Sequence, residues 1–134
     1  MKLSRKSEYA FLALTDLARA WNEDKTLPAS AIAEKNQIPK KFLDQILKEL
    51  REGSYVESIR GVNGGYRLAK APDQICLAEI IRLFDGAIAP IASVSTYFYT
   101  QTPSEQNEKL LACFKDIRDY TAKRLEAFSL DQLI

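Results

Sequence analysis

Apolar residues recur at spacings of three and four along much of the chain, which is the period of an amphipathic helix. This pattern predicts four helices in the first two thirds of the sequence, over residues 4–21, 30–36, 40–51 and 77–84. Ser4 or Ser7 is a candidate N-cap for the first helix. Pro39 suits the first position of the third helix, and Gly53 is expected to end that helix as a C-cap.

The pattern changes between residues 55 and 69, where two short runs alternate in the manner of β-strands. Residues 55–59 and 66–69 flank a glycine-rich turn. Asn63-Gly64 within it is a strong hairpin signal, because both residues tolerate positive φ. A hairpin that directly follows a helix-turn-helix pattern is typical of a winged helix, and a winged helix usually contacts DNA. We therefore expect a mainly α fold with a small β-wing, in which residues 1–86 form a winged helix-turn-helix DNA-binding domain.

The rest of the chain divides into a loop and a long helix. Residues 87–104 show no period, which is typical of a loop with a function or of disorder, and we expect them to receive an effector or partner. Residues 105–134 form a helix, predicted over 105–128, and a tail. One face of this helix is too apolar to remain exposed to water. The face therefore packs either on the core of the same chain, as in an ordinary core helix, or on a second chain in a dimer. We favour a dimer, because two DNA-binding heads read two half-sites. The face consists of Leu110, Phe114, Ile117, Thr121, Leu125 and Phe128.

The charge of the chain is unevenly distributed along its length. The whole sequence of 134 residues has a net charge of only +1. Residues 1–70 contain 13 Lys and Arg against 9 Asp and Glu, whereas residues 71–134 contain 6 against 9. A basic first half and an acidic second half fit a DNA-binding head with a separate helical part, although a chance asymmetry of solvated faces is the alternative.

Several other classes of protein fit the composition poorly. Residues 1–6 carry charge with no apolar run behind them, so we expect no signal peptide, and no stretch has the roughly 18 apolar residues of a membrane span. Two cysteines do not make a disulfide framework, and a reducing cytoplasm is the expected location. The chain has no histidine, no clustered carboxylates and no phosphate-binding loop motif, so we expect no enzymatic activity.

The candidate DNA contacts lie on the third helix, on the wing and near the N-terminus. The third helix is expected to enter the major groove by its N-terminus, where Gln45 can bond adenine and Lys41 can reach a guanine edge or a phosphate. Arg60 suits a narrow minor groove, and the wing glycines permit a close approach to the backbone. An ordinary solvated face is the alternative for each residue. The full set is Lys2, Ser4, Arg5, Lys6, Ser30, Pro39, Lys40, Lys41, Gln45, Lys48, Arg60, Gly61, Asn63, Gly64 and Gly65.

Several short segments together resemble one family of bacterial transcription regulators. They are residues 1–4, 9–10, 32–34, 38–39 and 42–47, and above all the run Arg-Gly-Val-Asn-Gly-Gly-Tyr-Arg-Leu-Ala at 60–69. These residues resemble the Rrf-two family, of which the IscR, NsrR and CymR regulators are kinds. The resemblance implies a homodimeric winged helix-turn-helix protein that binds double-stranded DNA and whose long helix crosses to the partner subunit. It also implies, for many members, an iron–sulfur cluster held by three closely spaced cysteines before that helix.

The sequence departs from the family pattern at the cluster. No cysteine occurs between Gly86 and Ala112, so we expect no cluster, no metal and no other cofactor. Cys76 and Cys113 are expected to be buried structural thiols. A site that combines Glu8 with Cys113 is the less favoured alternative. A second hypothesis about function therefore stays open. In it, the chain is a protein-interaction module that acts through a partner protein, with DNA binding secondary.

Overall fold

The first helix, α1 (Arg5–Asn22), forms the centre of the core in the computed structural model, which describes residues 1–134. Its buried side is made of small and branched residues that let the other helices approach closely, and it includes Ala10, Ala13, Leu14 and Leu17. Ser4 caps the helix, since its hydroxyl oxygen accepts a hydrogen bond from the backbone N–H of Ser7 at 3.1 Å. Of the two predicted caps, Ser4 is therefore the correct one.

The helix-turn-helix unit consists of α2 (Ala29–Asn36) and α3 (Lys40–Glu52). Gln37 adopts the left-handed conformation with φ of 54° and turns the chain between the two helices. Pro39 is not the first residue of the helix, as predicted, but its N-cap, one residue earlier, and its side chain makes no capping hydrogen bond. The predicted helix is otherwise confirmed, because its apolar stripe is buried at Leu43, Ile46, Leu47 and Leu50.

The end of α3 differs from the expectation of a left-handed glycine cap. Gly53 has φ of −80°, and the left-handed residue is Ser54, with φ of 65°. A glycine at position 53 is favoured by space instead, because a Cβ there would lie 2.9 Å from the ring of Tyr55. The predicted C-cap role of Gly53 is thus correct in position and wrong in its physical reason.

The wing is a two-stranded antiparallel sheet of β1 (Val56–Ile59) and β2 (Gly65–Leu68), with Val56 opposite Leu68. The predicted hairpin is confirmed. Its connection spans residues 60–64, and the positive φ values fall at Gly61 (114°) and Gly65 (153°), whereas the expected positions, Asn63 and Gly64, have negative φ. A hydrogen bond from the Gly64 N–H to the Gly61 carbonyl, 3.0 Å long, lies within this five-residue turn.

Beyond the wing the chain forms α4 (Leu77–Asp85), then irregular backbone, then α5 (Glu108–Glu126). The irregular part contains two 3-10 turns, Ala92–Val94 and Pro103–Gln106. Residues 87–104, which the sequence predicts to be irregular, contain no long element, and α5 begins at Glu108, three residues after the predicted start of the helix. Together with the five helices and the small wing, this confirms the predicted fold class. None of the helices combines the length and the apolar character that a membrane span requires.

The C-terminal tail belongs to the core of the head. A 3-10 turn (Leu130–Leu133) brings Leu130 into the same buried cluster as α1 and α3, where it is fully buried. Backbone hydrogen bonds hold it there, from the Leu77 N–H to the Phe128 carbonyl at 2.8 Å and from the Leu130 N–H to the Ile75 carbonyl at 3.0 Å. The packing thus joins residues 129–134 to residues 1–86, although the sequence groups them with the long helix.

Candidate nucleic-acid interface

The solvent side of α3 presents a stripe of polar side chains that have no partner within the chain. Lys41, Gln45 and Lys48 are exposed, and none of them makes a side-chain hydrogen bond or an ion pair. Spacings of four and three place the three on one face of the helix, opposite the buried leucines. We call these three residues the α3 stripe. Two ammonium groups and an amide that are free of internal partners can bond phosphates or base edges.

Lys40 differs from the α3 stripe, since its ammonium group lies 2.9 Å from Oδ1 of Asp44. The pair is exposed and spans one helical turn, so it is weak and can open when a phosphate competes. Pro39 is exposed just before it, and Ser30 is exposed in the first turn of α2. The structure thus brings the predicted residues of the helix-turn-helix to the surface, with Lys40 partly committed to Asp44.

The wing turn, residues 60–64, carries one free arginine. Arg60 is exposed and has no ion pair, whereas Arg67 on β2 is paired with Glu57 on the neighbouring strand. Val62 is fully exposed in the turn. A guanidinium group without a carboxylate beside it keeps its full attraction for the negative potential of a minor groove.

The glycines of the wing are required by close packing of the backbone. A Cβ on Gly64 would lie 2.3 Å from the carbonyl oxygen of Ile59, and one on Gly65 would lie 2.5 Å from the carbonyl of Leu27. A Cβ on Gly61 would meet nothing within 4 Å, but its φ of 114° is strained for any other residue. These glycines shape the turn, and Tyr66 packs on the core beneath it.

The wing is attached to the loop between α1 and α2. Leu27 and Tyr66 form a β-bridge with hydrogen bonds of 2.9 and 2.7 Å between their backbone groups. Nearer the tip, the hydroxyl of Thr26 donates a hydrogen bond to the carbonyl of Asn63 at 2.7 Å. The amide side chain of Asn63 has no internal partner, so only its backbone is held.

The N-terminus of α1 is less open to phosphate than the sequence suggests. The backbone N–H of Ser4 donates to Oδ2 of Asp85 at 3.0 Å, and the hydroxyl of Ser7 donates to the same oxygen at 2.7 Å. Burial raises the pKa of Asp85, but the hydrogen bonds from Ser4 and Ser7 outweigh it and hold the pKa below its ordinary value. A carboxylate therefore already occupies the favourable position at this helix end.

Lys6 is also engaged within the head. Its ammonium group lies 2.7 Å from Oε2 of Glu49 and over the ring of Phe84, at 5.7 Å from the ring centroid. Arg5 lies 3.3 Å from Glu8 in an exposed pair, and Lys2 is exposed with no partner. Among the predicted N-terminal contacts, Lys2 and Arg5 thus remain accessible, whereas Ser4 and Lys6 hold the fold together.

The apolar residues predicted for the interface face of α5 differ in how far the rest of the chain covers them. Phe114, Thr121, Leu125 and Phe128 are half-buried, whereas Leu110 and Ile117 are 41% and 47% exposed. Cys113 and Tyr120 are exposed as well. We call Leu110, Cys113, Ile117 and Tyr120 the α5 seam. Their spacing of three, four and three is that of a helix–helix seam, and this signal was available in the sequence.

The two thiols lie in different surroundings. Cys76 is half-buried at the start of α4, and burial raises its pKa. The expectation of a buried thiol is wrong for Cys113, because α5 turns this residue outward. No three His, Cys, Asp or Glu side chains of the chain lie close enough to hold a metal ion. Glu8 faces Arg5, so the donors present do not fit an iron site within one chain.

The loop before α5 is folded on the body with aromatic side chains outside. Ser93, Val94 and Ser95 are buried, and the guanidinium of Arg118 donates to the carbonyl of Val94 at 2.7 Å. Three consecutive residues, Tyr97–Tyr99, are exposed. Exposed neighbouring aromatic residues are typical of a binding surface.

Comparisons with known proteins agree with this geometry. Residues 3–134 match the family named Rrf2, described as an iron-dependent transcriptional regulator. An Rrf2-like HTH-type transcriptional regulator of Rhodobacter capsulatus is 40% identical over 99 residues, which are 72% of this chain and 66% of the relative. The HTH-type transcriptional regulator CymR of Bacillus subtilis is 37% identical over 91 residues, covering 68% of this chain and 65% of that protein. The chain thus spans slightly less than two thirds of these curated relatives.

A solved structure shows the same fold. The structure of CymR, the global cysteine regulator of B. subtilis, superposes with a TM-score of 0.79 at 29% sequence identity. The similarity covers 99% of this chain and 95% of that one. The winged helix, the loop and the long helix are therefore all shared with a known regulator.

Proposed function

Because the chain belongs to the Rrf2 family of transcriptional regulators, we propose that it is a homodimeric, sequence-specific DNA-binding regulator of transcription, acting in the cytoplasm. The observation that carries the proposal is the set of unpartnered polar groups on α3 and on the wing. Lys41, Gln45 and Lys48 lack internal partners, and so does Arg60. Elsewhere in the head, Lys6, Lys35 and Arg67 are each held by a carboxylate. Lys2 and Arg51 are also without an ion pair, but the α3 stripe and Arg60 lie on the two elements that a winged helix presents to DNA.

The α3 helix and the wing contact different grooves of the DNA. The α3 stripe enters the major groove, where Gln45 reads a base edge and the lysines neutralise phosphates or contact guanine. The wing lies along the neighbouring minor groove, into which Arg60 inserts. Lys2 and Arg5 add contacts to phosphates, which set the position of the head and do not read the sequence.

The α5 seam pairs two chains into the dimer. Leu110, Cys113, Ile117 and Tyr120 leave an apolar row in water on a helix that has no fully buried residue. A second copy of the same row would cover it through a two-fold axis, which is the commonest symmetry of soluble oligomers. Two heads at fixed separation would then read two half-sites.

The experiment that tests this function is selection of bound fragments from random duplex DNA by the purified protein. We expect enrichment of a palindromic sequence whose half-sites lie about one helical turn, or a multiple of it, apart. Competition with unrelated duplex measures specificity, because phosphate contacts alone bind every sequence. Recovery of fragments with no shared sequence, at low ionic strength, would contradict the proposal.

A second function is favoured by the exposed aromatic residues of the loop. Tyr97, Phe98 and Tyr99 fit a protein partner, so the chain would act as an interaction module with DNA binding secondary. Replacement of Tyr97 and Tyr99 by alanine separates the two functions. If the module is the main function, the variant loses a partner that the unchanged protein captures and keeps its affinity for DNA.

A further inference from the structure

The wing turn has little to hold it in place by itself. Three of the six residues from 60 to 65 are glycine, which leaves the backbone many alternative conformations. Within the turn, a single backbone hydrogen bond joins Gly64 to Gly61. Residues 60–64 lie outside the paired strands, since the ladder ends at the pair of Ile59 and Gly65. A turn of this kind is expected to move unless something outside it holds it.

The loop between α1 and α2 supplies that support at two points. At the base of the wing, Leu27 bonds Tyr66 through two backbone hydrogen bonds, and Gly65 lies against the Leu27 carbonyl. Closer to the tip, the Thr26 hydroxyl donates to the Asn63 carbonyl at 2.7 Å. No other side chain of the chain makes a hydrogen bond to residues 60–64. The Thr26 hydroxyl is thus the one side-chain attachment of the turn.

We propose that Thr26 is a positioning residue for DNA recognition, which holds the wing turn so that Arg60 and Asn63 meet the minor groove in a fixed geometry. This inference rests on the proposed DNA-binding function. Thr26 acts through Asn63 and does not itself contact DNA, because its one donor hydrogen is used on the Asn63 carbonyl. A turn that is fixed before binding loses less conformational freedom in the complex, and this difference appears as affinity.

The test is Thr26→Val, which keeps the β-branched shape and removes the donor. We expect affinity for a duplex selected by the unchanged protein to fall about 3- to 10-fold, the equivalent of ordering one or two side chains. Thr26→Ser restores the donor and should recover most of the loss. Thr15→Val is the matched control, because the Thr15 hydroxyl also donates to a carbonyl, that of Phe11 at 2.7 Å, but far along α1 from the wing.

Three readouts separate positioning from the alternatives. Amide hydrogen exchange should speed up in residues 60–65 of Thr26→Val and stay unchanged in α3, whereas general destabilisation would affect both. Discrimination between base pairs beneath the wing should weaken more than discrimination beneath α3. The slope of log affinity against log salt should stay close to that of the unchanged protein, because the substitution removes no charge.

The outcomes that overturn the proposal are distinct from failure of the function itself. If the unchanged protein binds DNA and Thr26→Val binds with equal affinity and specificity, Thr26 has no positioning role. A loss of affinity in Thr26→Val with unchanged hydrogen exchange in residues 60–65 would indicate a direct contact of the hydroxyl with DNA instead, and would overturn the proposal in another way. If the unchanged protein binds no duplex, the proposed function fails before Thr26 is tested.

Discussion

At the scale of single residues, basic side chains of similar position differ in whether an acidic side chain already holds them. Arg60 and Arg67 lie on the same hairpin, but only Arg67 is paired, with Glu57. Lys6 and Lys41 differ in the same way, because Lys6 is held by Glu49. Residue type and position in the sequence do not distinguish the members of such pairs, and the structure does.

Arg60→Ala is expected to weaken binding to the selected duplex by about 1–3 kcal/mol and to relax the preference for the base pairs beneath the wing. The reason is that the guanidinium is free to enter the minor groove. Electrophoretic shift with the selected duplex and with variants of it measures both effects. Arg67→Ala is the matched control, since that arginine is engaged by Glu57. Equal affinity and equal sequence preference in Arg60→Ala would remove this residue from the interface.

Asp85→Asn is expected to lower the free energy of unfolding by on the order of 1 kcal/mol, since the half-exposed carboxylate accepts hydrogen bonds from Ser4 and Ser7. The pKa of Asp85 is lower in the folded chain than in the unfolded one. Its contribution is therefore present above the unfolded pKa and is lost as the pH falls through the folded pKa. Urea unfolding at several pH values measures this. The difference between the variant and the unchanged protein should shrink in acid, and a difference that grows in acid would contradict the assignment.

At the scale of secondary-structure elements, α3 and α5 both bury one face and expose another that has a distinct composition. The exposed face of α3 is polar, with the α3 stripe at its centre. The exposed face of α5 is apolar along the α5 seam. These compositions fit a groove of nucleic acid for α3 and a second protein surface for α5.

Lys41→Ala is expected to reduce the slope of log affinity against log salt by about 1 for each chain in the complex, if the ammonium group neutralises a phosphate. Fluorescence anisotropy with a labelled selected duplex at several salt concentrations gives the slope. Lys109→Ala, which removes an exposed lysine from the first turn of α5, is the control and should leave the slope unchanged. A slope in Lys41→Ala that equals that of the control would argue against the phosphate contact.

Ile117→Glu is expected to convert the dimer into a monomer, because it places a charge in the middle of the α5 seam. Analytical ultracentrifugation measures the mass of the species in solution. Ala112→Glu introduces the same side chain on an exposed part of α5 outside the seam, and it should remain dimeric. If Ile117→Glu sediments like the unchanged protein, the seam is not the interface.

The elements were largely predictable from the sequence, because strong helical periods and the glycine-rich hairpin are local signals. The turn type of the wing was not, since it depends on the contact of Gly65 with Leu27, which lies 38 positions earlier in the chain. The burial of Leu130 was missed for a similar reason, as a short tail has no period to show its buried side. The division of the α5 face depends on how far the head covers the helix, which periodicity alone does not determine.

At the scale of the whole molecule, we propose that two copies of the chain form a dimer, which binds one palindromic site. The head and the long helix are joined where the tail enters the core at Leu130. The α5 seam would therefore set the separation of the two heads through a packed connection, with no flexible linker. Because this connection is packed, we expect a single fixed spacing between the two half-sites of the selected sequence.

The positions of the two thiols determine whether the chain can hold an iron–sulfur cluster. Cys76 precedes α4 and Cys113 lies on the α5 seam, with no third donor near either one in the chain. We expect that incubation with iron and sulfide under reducing, oxygen-free conditions leaves the visible spectrum of the protein unchanged, because cluster assembly needs several converging thiolates. A stable coloured protein that retains iron and sulfide after gel filtration would contradict this expectation.

A sedimentation titration of the purified protein with the duplex that it selects tests dimeric DNA binding most directly, because it gives affinity and stoichiometry in one measurement. We expect a complex of two chains for each duplex, formed with high affinity at low salt and progressively lost as the salt concentration rises. A single-chain species that leaves every duplex free at low ionic strength would contradict it.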